Sequence, residues 1–156
     1  MVSSAVVPFD CDDCAGGATF EEMIVDGRLH WSALHVCPAA SIQACGRDET
    51  PSEWRAALLE QCGTYRLRIG AASRIAVMKV VRERRGTPLS EISGVVELLQ
   101  GAGLTGTEME LRLLAAQFAE AGVPTSVEDP EARVPAPGES PQARVPASGE
   151  ALHGGQ

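Results

Sequence analysis

The chain has 156 residues, 44% of them apolar and only 4% aromatic, with 21 acidic side chains against 13 basic ones and a formal charge of −8. That acidity opposes general binding to nucleic-acid phosphates, and no run approaches the ~18 apolar residues a membrane-spanning helix needs. Val, Leu, Ile and Ala must supply most of the packing, and Lys79 is the only lysine.

In chain order, "MVSSAVVPFD" lacks the basic start and long apolar stretch of a signal peptide. The expected location is therefore the cytoplasm, where thiols stay reduced. The five cysteines then read as metal ligands or buried residues rather than disulfides. "CDDC" at Cys11–Cys14 leads into "TFEEMIVDGRLHWSALHVC". Asp26-Gly27 is a two-residue hairpin signal. After it Leu29, Trp31 and Ala33 alternate with Arg28, His30 and Ser32, which predicts a hairpin with one apolar face. Glu21 and Glu22 point to opposite faces of the strand, so they are no acid–base pair. "TPSEWRAALLEQCG" predicts a helix: Thr50 and Glu53 spell a capping box, Trp54, Ala57 and Leu58 share a face, and Gly63 ends it. Cys62 is expected to pack along that face.

From residue 64 the pattern changes. "TYRLRI" alternates as a strand, with Tyr65, Leu67 and Ile69 on one side. "SRIAVMKVVRERRG" predicts a helix whose buried stripe is Ile75, Met78 and Val81, broadened by Ala76 and Val80 and stopped by Gly86. Pro88 opens a second helix through "LSEISGVV", and "ELLQGA" reads as a short strand. Thr107 caps a third helix with Leu111, Leu114, Ala115 and Phe118 at i, i+3, i+4 and i+7. Gly122 closes it and "VPTSVE" returns as a strand. The expected fold class is α+β. Residues 64–128 form a small three-stranded sheet with three helices, in the order strand-helix-helix-strand-helix-strand. A cysteine-containing, ribbon-like hairpin unit with a helix precedes them in residues 1–63. Residues 129–156, rich in Pro, Gly and Ser with "ARVPAPGES" echoed as "ARVPASGEA", read as a disordered tail.

Cys11, Cys14, Cys37 and Cys45 follow the spacing C-x2-C-x22-C-x7-C around the hairpin, which resembles a degenerate zinc ribbon. Seven residues between the later cysteines depart from the usual two, and His35 stands ready as a substitute ligand. The residues admit two readings: a zinc site that stabilises the small unit, or a ribbon that has lost its metal and keeps cysteine as a small buried residue. A thiol oxidoreductase using Cys11 and Cys14 is the enzymatic alternative. Asp10, Asp12 and Asp13 oppose it, since like charge raises thiol pKa. No Walker loop, G-x-S-x-G or H-E-x-x-H motif is present, so the chain reads as a non-enzyme.

"RIAVMKVVRERRGTPLSEISGVVELL" together with "AEAGVPTSVE" resembles the C-terminal domain of the bacterial ribosomal large-subunit stalk protein, over about 65 residues. The arginine-rich composition also suits a bacterial source. In that family this domain recruits translational GTPases through its first two helices. Carried over, Arg74, Lys79 and Arg82 stand at the basic contact positions, and Arg84 and Arg85 add charge beside them. Ser90 and Ser93 stand where the family has lysines, and the family's N-terminal dimerisation region is replaced by the cysteine unit. The resemblance implies an adaptor that docks an acidic protein, a translational GTPase or the ribosome, through a basic helix. The alternative is a regulatory or biosynthetic-pathway protein that reuses the fold for another partner. Residues 66–85 carry seven cations against Glu83 alone, which suits steering of an acidic partner. With only Tyr65 as a nearby aromatic, they offer nucleic acid no stacking platform.

Overall fold

The computed structural model describes residues 1–130. Residues 131–156, almost all of the expected tail, lie outside the described residues.

Four strands, β1 (Val2–Val7), β2 (Ala18–Val25), β3 (Arg28–Val36) and β4 (Ser41–Arg47), form an antiparallel meander in chain order. The predicted hairpin is its centre. Asp26 and Gly27 have φ of 49° and 70°, the two left-handed residues that a hairpin turn matching strand twist requires. Alternation puts Ala5, Val7, Ala18, Phe20, Leu29 and Ala33 on one buried face. Across that face lies α1 (Ser52–Cys62), with Leu58 only 1% exposed. Trp31 and Trp54 meet edge to face at 5.3 Å, and Phe20 lies 5.3 Å from Trp54. Gly46 on β4 sits opposite Trp31, and a Cβ there would come within 2.3 Å of the indole. The strands β1 and β4 were hidden in sequence for different reasons. β1 turns Ser3, Ala5 and Val7 inward while Val2 and Val6 stay exposed, so its apolar residues mark no single face. The inner face of β4 is left uncovered, so Ile42 stays 45% exposed and no apolar run announces the strand.

The second half runs β5 (Tyr65–Ile69), α2 (Arg74–Arg85), α3 (Leu89–Gln100), β6 (Leu104–Gly106), α4 (Glu108–Glu120) and β7 (Thr125–Glu128). β5 is central, paired antiparallel with β6 on one side and β7 on the other. The three helices bury Leu67, Val77, Val81, Ile92, Val96, Leu99, Leu111 and Phe118 against this sheet. The fold class is α+β, with four helices and two antiparallel sheets among the described residues.

Three local expectations are corrected. The buried stripe of α2 is Val77, Val80 and Val81, with Met78 only partly buried, and Ile75 is 78% exposed. Nearly every position from 75 to 81 is apolar, so periodicity alone could not orient the helix. "ELLQ" belongs to α3, because Val96 and Leu99 continue the buried face of Ile92 at i+4 and i+7, and after Gly94, which the helix tolerates, no breaker intervenes before Gly101. The Thr50–Glu53 capping box does not form. Pro51 holds the cap position of α1 and the Thr50 hydroxyl donates instead to Glu22 at 2.6 Å. By contrast Thr107 caps α4 as expected, accepting from the Glu110 amide while Glu110 accepts from the Thr107 amide.

Candidate functional site

Cys11, Cys14, His35 and Cys37 converge at one end of the meander, with their donor atoms all within 4.8 Å of one another. Two come from the loop between β1 and β2, and two from the end of β3. The loop is shaped by glycine. Gly16 and Gly17 have φ of 79° and 92°, the Gly17 amide donates to the Phe9 carbonyl at 3.0 Å, and a Cβ on Gly16 would lie 2.4 Å from that oxygen. The Gly16 amide in turn donates to Cys14 Sγ at 3.3 Å. Past β3, Cys37 and Ala40 exchange backbone hydrogen bonds in a tight turn.

His35 is 2% exposed, and its Nδ1 lies 2.6 Å from the Gly17 carbonyl oxygen. That N–H donates to the carbonyl, which turns Nε2 toward Cys14 Sγ at 3.6 Å. Phe9 stacks on the imidazole with centroids 4.6 Å apart. The Sγ atoms of Cys11 and Cys37 are 3.9 Å apart. The Gly17 carbonyl, aided by Cys37, raises His35 to about 9. The Ala39 amide, aided by His35, draws Cys37 down to about 7. Cys11 is lowered chiefly by the Asp13 amide, so the aspartates of "CDDC" do not raise this thiol as their charge suggested. At Cys14 the Gly16 amide pulls down, but burial and the neighbouring thiols prevail and the pKa rises. Three sulfurs and one imidazole nitrogen in this arrangement can hold a metal ion.

Cys45 does not join them. It pairs with Ser32, whose side chain projects from the outer face of the sheet, whereas His35 and Cys37 are two residues apart and share the inner side. Cys45 is exposed, and His35 takes the fourth place. Cys62 is partly buried against the α1 face as expected, donating to the Ser4 carbonyl at 3.1 Å.

On α2, Ile75, Lys79 and Arg82 fall at i, i+4 and i+7, on the side opposite Val77, Val80 and Val81. Arg74 flanks this stripe. Among the described residues, Arg74, Lys79, Arg82 and Arg85 make no ion pair, whereas Arg84 pairs with Glu120 at 3.4 Å. Leu89, 68% exposed, opens the adjoining helix.

Sequence reading missed Glu22. On the inner face it stands directly opposite Trp31 and two residues from Phe20, and it is 0% exposed. Thr50 Oγ1 and Thr107 Oγ1 donate to its two oxygens at 2.6 and 2.5 Å, and the Arg55–Glu110 ion pair lies beside it at 2.7 Å. Burial raises its pKa against the pull of the two hydroxyls. The available signal was an acid at the inward phase of the alternation that runs Phe20, Glu22, Ile24.

Compared with family models, curated proteins and solved structures, the chain matches none.

Proposed function

We propose that the chain is a non-enzymatic protein-binding module, stabilised at one end by zinc and docking an acidic partner through the outward stripe of α2. The observation that carries the docking half is Ile75. An isoleucine left 78% exposed directly opposite the helix's own core, with Lys79 and Arg82 one and two turns on, forms an apolar contact ringed by cations. Among the described residues neither Lys79 nor Arg82 is within ion-pair distance of an acid, which leaves both available to a partner. The matching surface is an acidic one with a small apolar recess. The resemblance of this segment to the stalk domain makes translational GTPases the first partners to test.

Zinc is the metal that the donor set fits. Tetrahedral zinc with Zn–S of about 2.3 Å and Zn–N of about 2.0–2.1 Å sets sulfurs ~3.8 Å apart and sulfur and nitrogen ~3.6 Å apart. The corresponding separations are 3.9 Å for Cys11–Cys37 and 3.6 Å for Cys14–His35. The Gly17 carbonyl is the outer partner that such a histidine ligand commonly has. With four protein donors and no open position, the ion would serve structure rather than catalysis.

The docking test is a titration of isotope-labelled protein with purified elongation factors at low and moderate salt, followed by NMR. Shifts are expected at Ile75, Lys79 and Arg82 and should weaken as salt rises. Reversing both charges, Lys79→Glu with Arg82→Glu, should raise Kd by about tenfold or more. Ile75→Ala should weaken binding without lowering the melting temperature, because the side chain is not in the core. If every factor leaves this stripe unshifted, the partner is a different acidic protein or the face does not dock.

A further inference from the structure

We propose that the cysteine cluster is a redox-sensitive switch, in which a hydroperoxide joins Cys11 to Cys37 as a disulfide and the metal leaves. The inference rests on the zinc reading above and adds to it a regulated exit. Its basis is the way the donors are mounted. Cys11 lies in the loop between β1 and β2, and Cys37 just past the end of β3, so neither sits within a strand ladder. Their sulfurs already stand 3.9 Å apart, and a disulfide bond of about 2.05 Å asks for an approach of roughly 2 Å. His35 cannot follow any such movement. It is buried on β3, paired with Ile42 in the ladder and bonded to the Gly17 carbonyl.

The chemistry balances with hydrogen peroxide as oxidant. One thiolate attacks a peroxide oxygen, the O–O bond breaks, and a sulfenic acid forms as hydroxide leaves. The second thiolate attacks that sulfur and displaces the remaining oxygen as hydroxide. Two electrons pass from the sulfurs to the peroxide, and two protons from solvent complete two waters. Neither sulfur is then a thiolate donor. Cys14 and His35 alone make half a tetrahedral set, so zinc dissociates. All three cysteines are partly exposed, and peroxide can reach them. Cys45 is more exposed but stands outside the cluster, which makes it an internal control. The change would be felt beyond the site, because Phe9 lies two residues before Cys11 in the same loop and packs against the core built on Phe20.

The test takes the full chain, reduced and zinc-loaded, and adds hydrogen peroxide in the presence of a chromogenic zinc chelator. Expected are loss of one zinc per chain, a Cys11–Cys37 disulfide by peptide mapping, and Cys45 and Cys62 still open to alkylation. A thiol reductant with added zinc should restore the starting state. A Cys45→Ser, Cys62→Ser variant, which keeps the whole cluster, should release zinc as the wild type does. Zinc retained while Cys45 oxidises, or release through a Cys11–Cys14 disulfide, overturns the proposed switch and leaves the zinc reading standing. A reduced chain that holds no zinc overturns both.

Discussion

Cys14→Ser, Cys37→Ser and His35→Ala are each expected to abolish stoichiometric zinc binding, while Cys45→Ser keeps one zinc per chain. Elemental analysis of protein purified under reduction reads this directly. The reasoning is geometric: strand alternation sends Cys45 to the outer face, and the Gly17 carbonyl fixes the His35 tautomer that leaves Nε2 free to bind. Zinc binding in small sites is worth about 10–16 kcal/mol, and that free energy is coupled to folding. The second core shares no residue with the cysteine cluster, so the expected damage falls on the meander. Its readout is the fluorescence of Trp31 and Trp54, which pack with Phe20 in the same cluster as Phe9. Each kcal/mol lost lowers the melting temperature by roughly 3–6 °C in a chain of this size. A requirement for Cys45 with His35 dispensable would restore the four-thiolate set and sink the arrangement described above.

Thr107→Ala is expected to cost about 2–4 kcal/mol, a large effect for one hydroxyl. Two losses combine: the cap of α4, worth about 0.5–2 kcal/mol, and one of the two donors to a buried carboxylate, worth about 1–3 kcal/mol. Thr107→Ser keeps the hydroxyl and loses one methyl group, so it should cost about 0.8 kcal/mol or less. Chemical denaturation of the two variants separates these values. The same site predicts a pH dependence. Burial raises the Glu22 pKa in the folded chain above its ordinary 4.5. The folded state therefore holds the proton more tightly than the unfolded state. Its favourable contribution is complete below about 4.5 and is lost as pH climbs through the raised folded value. Glu22→Gln carries no such titration, so it should gain stability relative to wild type as pH increases from about 4 to about 8. Parallel stability curves for the two proteins, or equal costs for the alanine and serine variants at 107, would show that Glu22 is not the buried, hydroxyl-held acid described here.

Much of this was legible because its causes are local. Asp26-Gly27 accepts the backbone of a two-residue turn wherever it occurs, and Thr107 with Glu110 caps α4 from within one helical turn. The alternation of Tyr65, Leu67 and Ile69 needs only the pleat of a strand. What stayed hidden depends on partners distant in sequence. Thr50 looked like a helix cap until the fold supplied Glu22, a stronger acceptor that is itself buried beneath Thr107. The fourth donor turned on which face of the sheet Cys45 occupies, and the register of β4 on β3 decides that. Spacing along the chain carries no such information. For α2 the apolar residues were too many to mark an inward side. The cations at 79 and 82 point outward more clearly than Ile75 points inward, and weighing them first would have oriented the helix.

The two sheets also differ in when their partners become available. The meander pairs neighbours in chain order, and its covering helix follows at once, so residues 1–62 can assemble as soon as they are made. β5 is placed the other way. It is the centre of its sheet yet emerges first, and both of its flanking strands come only after two helices or more. Until β6 and β7 are made, this strand has neither of its pairing partners, and Leu67 lacks the helices that bury it. The sheet of the second half therefore has its full set of edges only once β7, the last of its strands in chain order, is present.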